Sequence, residues 1–277
     1  MSGLVDVGGG ELGLLVEASG STEVKVAFMN VGRWYLATHE YLEWYARGGV
    51  GVAFVGECWV ERRDGWGTQS HPDYVRLGSV SVAHRVACFV LRSPVDVCRL
   101  MECAYRFVCV EVGGVRLGGV YRHCGESVHG MEQWLEGIRE VVGGRRWVLL
   151  GDWNAHHRAW SLDGRSGPSG RVLKRWMEDR GTRLGKGEGN TFEYTHGGGT
   201  VASRIDFVVE GGGAHLGPLE VVWGLSDHSA ISRVVQVAEL VGVVHVREAV
   251  DWLAVELTVV EEDEGWYGDL AGDTAYE

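Results

Sequence analysis

The stretch Arg146-Trp147-Val148-Leu149-Leu150-Gly151-Asp152-Trp153-Asn154-Ala155-His156-His157 places polar side chains directly after an apolar run. Residues 147–150 form the apolar run typical of a buried strand, and an acid, an amide and two imidazoles follow it. In α/β proteins, ligands bind just beyond the carboxyl ends of such strands. We therefore expect Asp152 and Asn154 to belong to a functional site.

Other strand-like runs carry polar residues in the same way. Asn30, Glu57 and Tyr121 each come at the end of an apolar run. Farther along, Ser203-Arg204-Ile205-Asp206-Phe207 and Ser226-Asp227-His228 each place an acid beside a strand-like run. This repetition argues against coincidence and extends the candidate site over most of the chain.

The order of elements predicts a layered α/β fold. Strand-like runs outnumber helical ones, and hairpin signals such as Gly113-Gly114 mix with strand–helix–strand crossovers. We therefore predict a four-layered α/β sandwich, with two mixed β-sheets packed face to face and helices outside, rather than a doubly wound parallel sheet. The predicted helices run from Thr38 as N-cap to Arg47, from Ser127 as N-cap to Val142, and from Ser169 to Gly181.

Composition divides the chain into a central domain and two flanking segments. We predict a flexible leader over residues 1–22, an α/β domain over residues 23–240 and an acidic tail over residues 241–277. Residues 248–277 hold ten acids and no Lys or Arg, so residues 1–247 carry only −2 of the formal net charge of −12. A nearly neutral domain leaves nucleic acid open as a partner, although such partners usually favour a basic surface.

The composition also bounds the class of protein. A chain of 277 residues that is 45% hydrophobic can bury a full core. No window approaches the roughly 18 apolar residues of a membrane span, and no basic signal-peptide start is present, so we expect an intracellular protein with no membrane partner. The six cysteines lack zinc spacing, which indicates reduced thiols.

The polar residues at the strand ends suit hydrolysis of a phosphate ester. The chain has neither a Gly-x-Ser-x-Gly elbow nor a phosphate-binding loop ending in Gly-Lys-Ser/Thr. Carboxylate and amide oxygens suit Mg²⁺ or Mn²⁺ better than zinc. An ion held by Glu57 and Asp227 would neutralise charge on a phosphoryl group, while another Asp activates water and amides hold the non-bridging oxygens.

The ordered motifs resemble the endonuclease/exonuclease/phosphatase superfamily, and within it the apurinic-type endonuclease domains of non-LTR retrotransposons. The resemblance covers about residues 24–235. Its superfamily motifs are Met29-Asn30-Val31-Gly32-Arg33, Glu57, Val120-Tyr121, the stretch 151–157, Ser203-Arg204-Ile205-Asp206 and Ser226-Asp227-His228. The retrotransposon branch is indicated by His156-His157, Gly170-Arg171-Val172-Leu173 and Asn190-Thr191-Phe192.

The resemblance implies a role for each candidate residue. His228 would contact the scissile phosphate, Asp206 would orient its imidazole, and Asp152 would activate water. The residues implied to contact the substrate are Asn154, Tyr121, Arg204 and Ser203. The residues implied at the metal are Glu57, Asp227 and Asn30.

Two positions depart from the family pattern. Gly32 stands where repair-type relatives often have an acid, which removes one potential metal contact, as is common in retrotransposon relatives. After Tyr121 the chain reads Arg122-His123-Cys124 instead of an Asn- or Pro-containing turn, which puts phosphate contacts there in question.

By this resemblance, the chain would be a Mg²⁺-dependent endonuclease, with Mn²⁺ as an alternative ion, that nicks target-site DNA and leaves a 3′-hydroxyl and a 5′-phosphate. It would be a nuclear, monomeric domain of a larger polyprotein that contains reverse transcriptase. Loops 64–73 and 197–200 are candidates for DNA contacts. The same site could instead act on RNA or phospholipid head groups, or the chain could be a catalytically silent nucleic-acid-binding module.

Simpler structural roles remain open for several residues. Asp152 and Asn154 could build an Asx-turn, Asp206 could pair with Arg204, and Trp153 could belong to the core instead of stacking on bases. The basic residues could line a DNA groove or form a dispersed, solvated surface. They are Arg62, Arg63, Arg122, Arg158, Arg165, Arg171, Lys174 and Arg175.

Overall fold

A computed structural model gives the fold of the chain. It describes residues 3–6, 12–15, 21–32, 35–58, 71–78, 85–92, 98–104, 106–161, 164–185, 189–196, 199–214, 216–222 and 226–238. The predicted acidic tail, most of loop 64–73, and Arg62 and Arg63 lie outside the described residues. None of the described helices is long and apolar enough to cross a membrane.

Three helices and sixteen strands make up the described part. The helices are α1 (Tyr35–Arg47), α2 (Val128–Val142) and α3 (Pro168–Asp179). The strands are β1 (Gly3–Asp6), β2 (Leu12–Leu15), β3 (Ser21–Asn30), β4 (Val50–Gly56), β5 (Tyr74–Leu77), β6 (Val86–Leu91), β7 (Cys98–Ala104), β8 (Phe107–Val112), β9 (Val115–Tyr121), β10 (Arg146–Asp152), β11 (Arg183–Leu184), β12 (Phe192–His196), β13 (Gly199–Ser203), β14 (Asp206–Gly211), β15 (Leu216–Val222) and β16 (Ala230–Ala238).

The strands form two six-stranded mixed sheets. The first sheet has the order β15-β16-β3-β4-β6-β5, and the second has the order β11-β14-β10-β9-β8-β7. β3 pairs with β4 in parallel, as β9 does with β10, and the remaining pairs of both sheets are antiparallel. Two hairpins, β1–β2 and β12–β13, each form a separate two-stranded sheet. The prediction of two mixed sheets is confirmed.

The alternation of side chains along each strand builds the layers. Along β3, Phe28 faces the core between the two sheets and Met29 faces the opposite side, where α1 packs. Along β10, Leu150 faces the inter-sheet core, whereas Leu149 packs outward with residues of α2 and α3. The result is helix, sheet, sheet and helices, which confirms the four-layered α/β sandwich.

A glycine lets the two sheets approach each other closely. A Cβ atom added to Gly119 on β9 would lie 2.6 Å from side-chain carbons of Phe54 on β4. Real Cβ atoms do not approach that closely, so the ring of Phe54 occupies the space that a side chain at position 119 would need.

The helix starts test the capping predictions. Ser127 caps α2, since its hydroxyl accepts a hydrogen bond from the backbone N–H of Gly130 at 3.0 Å. The prediction that Thr38 caps the first helix was wrong. α1 already begins at Tyr35, because nothing in residues 35–37 opposes helix, and Thr38 lies buried inside it. Gly49, with a φ of 69°, allows the turn after α1, as expected for a helix stop.

The amino-terminal segment contains regular structure. β1 and β2 pair antiparallel within the predicted leader, residues 1–22, and β3 begins at Ser21, two residues before the predicted start of the domain. The six cysteines are free thiols.

Candidate active site

Strand register brings the predicted site residues to one edge of the sandwich. Asn30 at the end of β3 lies opposite Gly56, which directly precedes Glu57. In the second sheet, Asp152 lies opposite Tyr121 on one side and Asp206 on the other. Because the two sheets pack face to face, these strand ends meet at the same rim, where Asn30 Nδ2 lies 3.0 Å from Asp152 Oδ2.

Asp152 is the centre of a hydrogen-bond network. It is 1% exposed, and its Oδ1 accepts from the backbone N–H of Asn154 at 3.0 Å. Its Oδ2 accepts from the side-chain amides of Asn30 and Asn154, both at 3.0 Å. The backbone contact is an Asx-turn, which confirms the structural interpretation of this pair. The turn and the site are made by the same atoms.

Asp206 and His228 form a buried pair. His228 Nδ1 donates to the Asp206 carboxylate, 2.9 Å from Oδ2 and 3.0 Å from Oδ1. Thr191 Oγ1 accepts from the backbone N–H of Asp206 at 2.9 Å, and the ring of Phe192 lies 4.9 Å from the imidazole between ring centres. With Nδ1 engaged, Nε2 is turned to the other side, 3.5 Å from Asn30 Nδ2.

Burial and charge shift the pKa values of these groups. Burial, with Asp206 adding to it, raises the pKa of Asp152 to about 7. Burial alone would lower the pKa of His228, but Asp206 and, more weakly, Asp152 and Asp227 outweigh it and raise that pKa to about 10. At neutral pH the site therefore holds an imidazolium beside a carboxyl group that titrates near neutrality.

Tyr121 and Glu57 form a second contact at the rim. The Tyr121 hydroxyl donates to Glu57 Oε1, and burial together with Glu57 raises the pKa of Tyr121. Glu57 has a φ of 49°, a left-handed conformation that side chains rarely adopt. Such conformations cluster at functional sites, because the surrounding structure must stabilise them.

Asp227 is exposed and lies close to the turn after Asn30. Its Oδ1 accepts a hydrogen bond from Ser226 Oγ at 3.0 Å, and Ser226 Oγ also accepts from the backbone N–H of His228. A Cβ on Gly32 would point at Asp227 Oδ1 from 4.0 Å, and Gly32 has a φ of 58°. The turn after Asn30 therefore faces Asp227 through a glycine in the left-handed conformation.

Neither Glu57 nor Asp227 belongs to the tight group of potential ligand atoms among the described residues. Among the described residues, one group of three offers His, Cys, Asp or Glu ligand atoms that all lie within 4.8 Å of one another, namely Asp152, Asp206 and His228. In this group, Asp206 and His228 already bind each other by a hydrogen bond. The assignment of the ion to Glu57, Asp227 and Asn30 stays a prediction.

Several predicted residues make structural contacts elsewhere. Ser203 is buried in β13, where its backbone oxygen accepts from the Thr191 N–H. Arg204 Nε donates to the backbone oxygen of Gly189 at 2.8 Å. Trp153 is fully buried, and its Nε1 donates to the backbone oxygen of Phe207, so it belongs to the core.

The histidine pair is held by local structure. His157 Nδ1 accepts from the Ala159 N–H at 3.1 Å, and its ring packs 5.0 Å from that of Trp160. A Cβ on Gly170 would overlap the backbone carbonyl of His156. The His156-His157 and Gly170 motifs therefore belong to one packed turn.

Sequence reasoning misplaced one residue and missed another. Arg122 was expected on a surface but is only 2% exposed, and its guanidinium donates to the backbone oxygen of Asn154. Thr191 orders the backbone of Asp206, a contact that its place in a family motif does not predict. The sequence signal available for it is its place in Asn190-Thr191-Phe192, directly before β12.

Comparison with known proteins finds a similar family over part of the chain and solved structures with a similar fold. Residues 115–232 match the model of the endonuclease–reverse transcriptase family. No match was found among functionally curated proteins. The endonuclease domain of TRAS1, a telomere-specific non-LTR retrotransposon, is similar with a TM-score of 0.62 and 20% identity, covering 76% of this chain and 98% of that domain.

Two nucleic-acid enzymes share the fold at lower similarity. The 3′ phosphatase NExo from Neisseria, bound to a product DNA hairpin, has a TM-score of 0.55 and 18% identity, covering 76% of this chain and 98% of its own. An AP endonuclease from Archaeoglobus fulgidus has a TM-score of 0.53 and 16% identity, with the same two coverages. The chain is thus similar to the endonuclease–reverse transcriptase family over residues 115–232, and its paired mixed sheets give it the fold of these nucleic-acid enzymes.

Proposed function

We propose that the chain is a divalent-metal-dependent endonuclease that hydrolyses a phosphodiester bond of duplex DNA and leaves a 3′-hydroxyl and a 5′-phosphate. The observation that carries this proposal is that a carboxylate able to act as a base, Asp152, lies beside the imidazolium of His228. Asp152 and the Asp206–His228 pair share one buried network, and Asn30 Nδ2 lies 3.0 Å from Asp152 Oδ2 and 3.5 Å from His228 Nε2.

The network gives Asp152 the properties of a general base. Its pKa of about 7 makes it a carboxylate that can take a proton from water near neutral pH. The side-chain amides of Asn30 and Asn154 both donate to Asp152 Oδ2. Asp152 Oδ1 accepts a single backbone N–H among the described contacts. A carboxylate oxygen has room for more than one donor, so Oδ1 is the atom that would receive the proton of the attacking water.

His228 supplies positive charge where a phosphate gains negative charge. The Asp206 carboxylate holds Nδ1, which fixes the ring and keeps the imidazole charged at neutral pH. Nε2–H then points away from Asp206 into the site and can donate to a non-bridging oxygen of the scissile phosphate. A donor fixed in this way stabilises the transition state without reorganising during the reaction.

The donor set fits a hard divalent cation. The rim holds the carboxylates of Glu57, Asp152 and Asp227, whose oxygens are ligands that hard cations prefer. We assign Glu57, Asp227 and Asn30 to such an ion, Mg²⁺ or Mn²⁺, which when bound would offset the charge developing on the phosphoryl oxygens. Tyr121, through its hydrogen bond to Glu57, would orient that carboxylate.

The relatives support DNA as the substrate. The TRAS1 domain is an endonuclease of a retrotransposon, and the NExo structure contains a DNA hairpin. Exposed basic residues on and near α3, including Arg158, Arg165, Arg171 and Arg175, supply local positive charge on a chain that is acidic in total. We further propose that the domain acts in the nucleus as part of a larger reverse-transcriptase protein.

Supercoiled plasmid tests this proposal. The unmutated protein should convert it to the open circle in Mg²⁺ or Mn²⁺ and lose this activity in EDTA. Asp152→Asn and His228→Ala should lower the nicking rate by at least about a hundredfold. Matched controls are Asp179→Asn and His129→Ala, which change an acid and an imidazole on exposed helix positions and should nick normally.

The chemistry of the ends separates the candidate reactions. DNA ligase should reseal the nicks directly, because it requires a 3′-hydroxyl next to a 5′-phosphate. No nicking under any metal condition would refute the proposal. Because the similar NExo is a 3′ phosphatase, release of phosphate from a 3′-phosphorylated oligonucleotide, without plasmid nicking, would instead establish a phosphomonoesterase.

A further inference from the structure

Arg122 joins the site loop to the turn that leads into α2. Its guanidinium is almost fully buried and forks between two backbone carbonyls, with Nη1 2.8 Å from the oxygen of Asn154 and Nη2 2.9 Å from the oxygen of Glu126. Its backbone N–H donates to the backbone oxygen of Asp152 at 2.8 Å. Burying a charged side chain is costly unless it is paired and hydrogen-bonded, so these contacts must be maintained together.

Arg122 holds Asn154 from two sides. Its guanidinium donates to the Asn154 backbone oxygen, and its own backbone oxygen accepts from Asn154 Nδ2 at 2.7 Å. The second hydrogen of that amide goes to Asp152 Oδ2. Both amide hydrogens of Asn154 are therefore used within the protein, and turning the amide over would place its oxygen against two acceptors.

Asn154 needs such support because of its backbone. It has a φ of 43°, in the left-handed region that L-residues avoid, although Asn tolerates it better than most. Asn154 supplies, through its N–H and its Nδ2, two of the three hydrogen bonds that the side-chain carboxylate of Asp152 accepts among the described contacts. If residue 154 relaxed, the Asp152 carboxylate would lose both.

We propose that Arg122 is a positioning residue for the general base: its guanidinium holds Asn154 in the strained turn that fixes the Asp152 carboxylate. The role in catalysis rests on the proposed nuclease function, whereas the positioning itself does not. Arg122 touches neither water nor phosphate in this scheme. It acts through Asn154, so its loss should lower kcat and change the KM for DNA little.

The planar guanidinium is essential to this role. It reaches two carbonyl oxygens at once, which the single ammonium of Lys cannot do with the same geometry. Glu126 does not depend on Arg122 for its charge balance, because Arg106 Nη1 lies 2.6 Å from Glu126 Oε1, while Arg122 Nε is 3.7 Å from Oε2. Arg106 thus pairs with the same acid, and none of its described contacts is with Asn154.

The experiment compares Arg122→Lys with Arg106→Lys. Both keep the charge and change the same ion-pair cluster around Glu126. For Arg122→Lys we expect kcat for plasmid nicking to fall about tenfold to a hundredfold with KM within about threefold, the size of effect that small misplacements produce. Exchange of the Asn154 backbone N–H, followed by NMR, should accelerate at least about tenfold. Arg106→Lys should leave kcat, KM and this exchange within about twofold.

The outcomes are distinguishable. Arg122→Lys with kcat and Asn154 exchange like those of Arg106→Lys would overturn the proposal. If Arg122→Lys exchanges faster at all amides, Arg122→Gln, which can still donate to one carbonyl, replaces it; global unfolding of both variants would show a purely structural residue and would also overturn it. If the unmutated protein does not nick DNA, the nuclease proposal fails, and the exchange measurement alone decides whether Arg122 positions Asn154.

Discussion

Replacing Asp206 by Asn tests how this site keeps an imidazolium at neutral pH. The substitution keeps the size of the side chain and an oxygen that can accept from His228 Nδ1, but it removes the negative charge. In the unmutated protein, burial lowers the pKa of His228, and the Asp206 charge is the largest contribution that raises it, to about 10. Asp206→Asn therefore removes the largest contribution that opposes burial and leaves only the weaker ones of Asp152 and Asp227.

The size of the effect follows from that value. The difference between a pKa of about 10 and the ordinary 6.5 corresponds to about 5 kcal/mol in the free energy of protonating His228. With the adjacent charge gone, the pKa falls back toward its ordinary value, and at pH 8 most of the imidazole is neutral. Losing a fixed, charged donor to the phosphate should lower kcat by about a hundredfold to a thousandfold.

Two measurements check this reasoning. NMR titration of the His228 ring should show protonation at a much lower pH in Asp206→Asn than in the unmutated protein. Plasmid nicking at pH 8 should fall in parallel. Asp227→Asn is the control for the titration, because Asp227 contributes least among the charges that raise the pKa of His228 and does not bind its ring. A His228 pKa that stays above 9 in Asp206→Asn, or nicking within tenfold of the unmutated rate, would refute the argument.

Further substitutions and pH changes test the site and the fold. Because Asp152 acts as a base only when deprotonated, and burial raises its pKa to about 7, kcat/KM for nicking should rise with pH through that region, and a flat profile from pH 5 to 8 would contradict this role. Gly119→Ala should lower the free energy of unfolding by about 1–3 kcal/mol in urea titrations, because the added methyl meets Phe54; unchanged stability would mean that the sheets can separate without cost. Gly137→Ala, in an exposed position of α2 with open space around it, is the matched control and should stabilise by about 0.5–1 kcal/mol. Ser127→Ala should lower the free energy of unfolding by about 1 kcal/mol, since the cap of α2 is lost. An unchanged free energy of unfolding would show that the hydroxyl does not stabilise the helix.

The sequence predicted the fold where burial patterns are regular. Phe28 and Met29 alternate between two faces of β3, and residues 50–55 are apolar throughout because β4 is buried on both sides. The Gly113-Gly114 hairpin is also local, since both glycines have positive φ. Alternating strands and glycine turns of this kind can be predicted from neighbouring residues alone, without knowing which distant residues they contact.

The contacts that the sequence did not reveal are long-range. Arg122 looks like any charged residue in a turn, and only the parallel pairing of β9 with β10 puts it beside Asn154. Thr38 looked like a helix cap because Thr is common at that position, but three residues of no strong preference before it continue the helix. In both cases tertiary packing decided between conformations that local propensity leaves close in energy.

Asp152 shows why structural and functional explanations of a motif are not alternatives. The Asx-turn with Asn154 was the simpler explanation of this pair, and the structure contains it. In the same turn, Asn154 has a left-handed conformation and its side-chain amide donates to the Asp152 carboxylate. The amide fixes the position of that carboxylate, while burial raises its pKa. A stable turn alone would accept Asp152→Asn with little loss, since Asn also forms Asx-turns. A substitution that leaves stability unchanged but abolishes nicking would therefore locate the function of the motif in the charge of Asp152 and not in its fold.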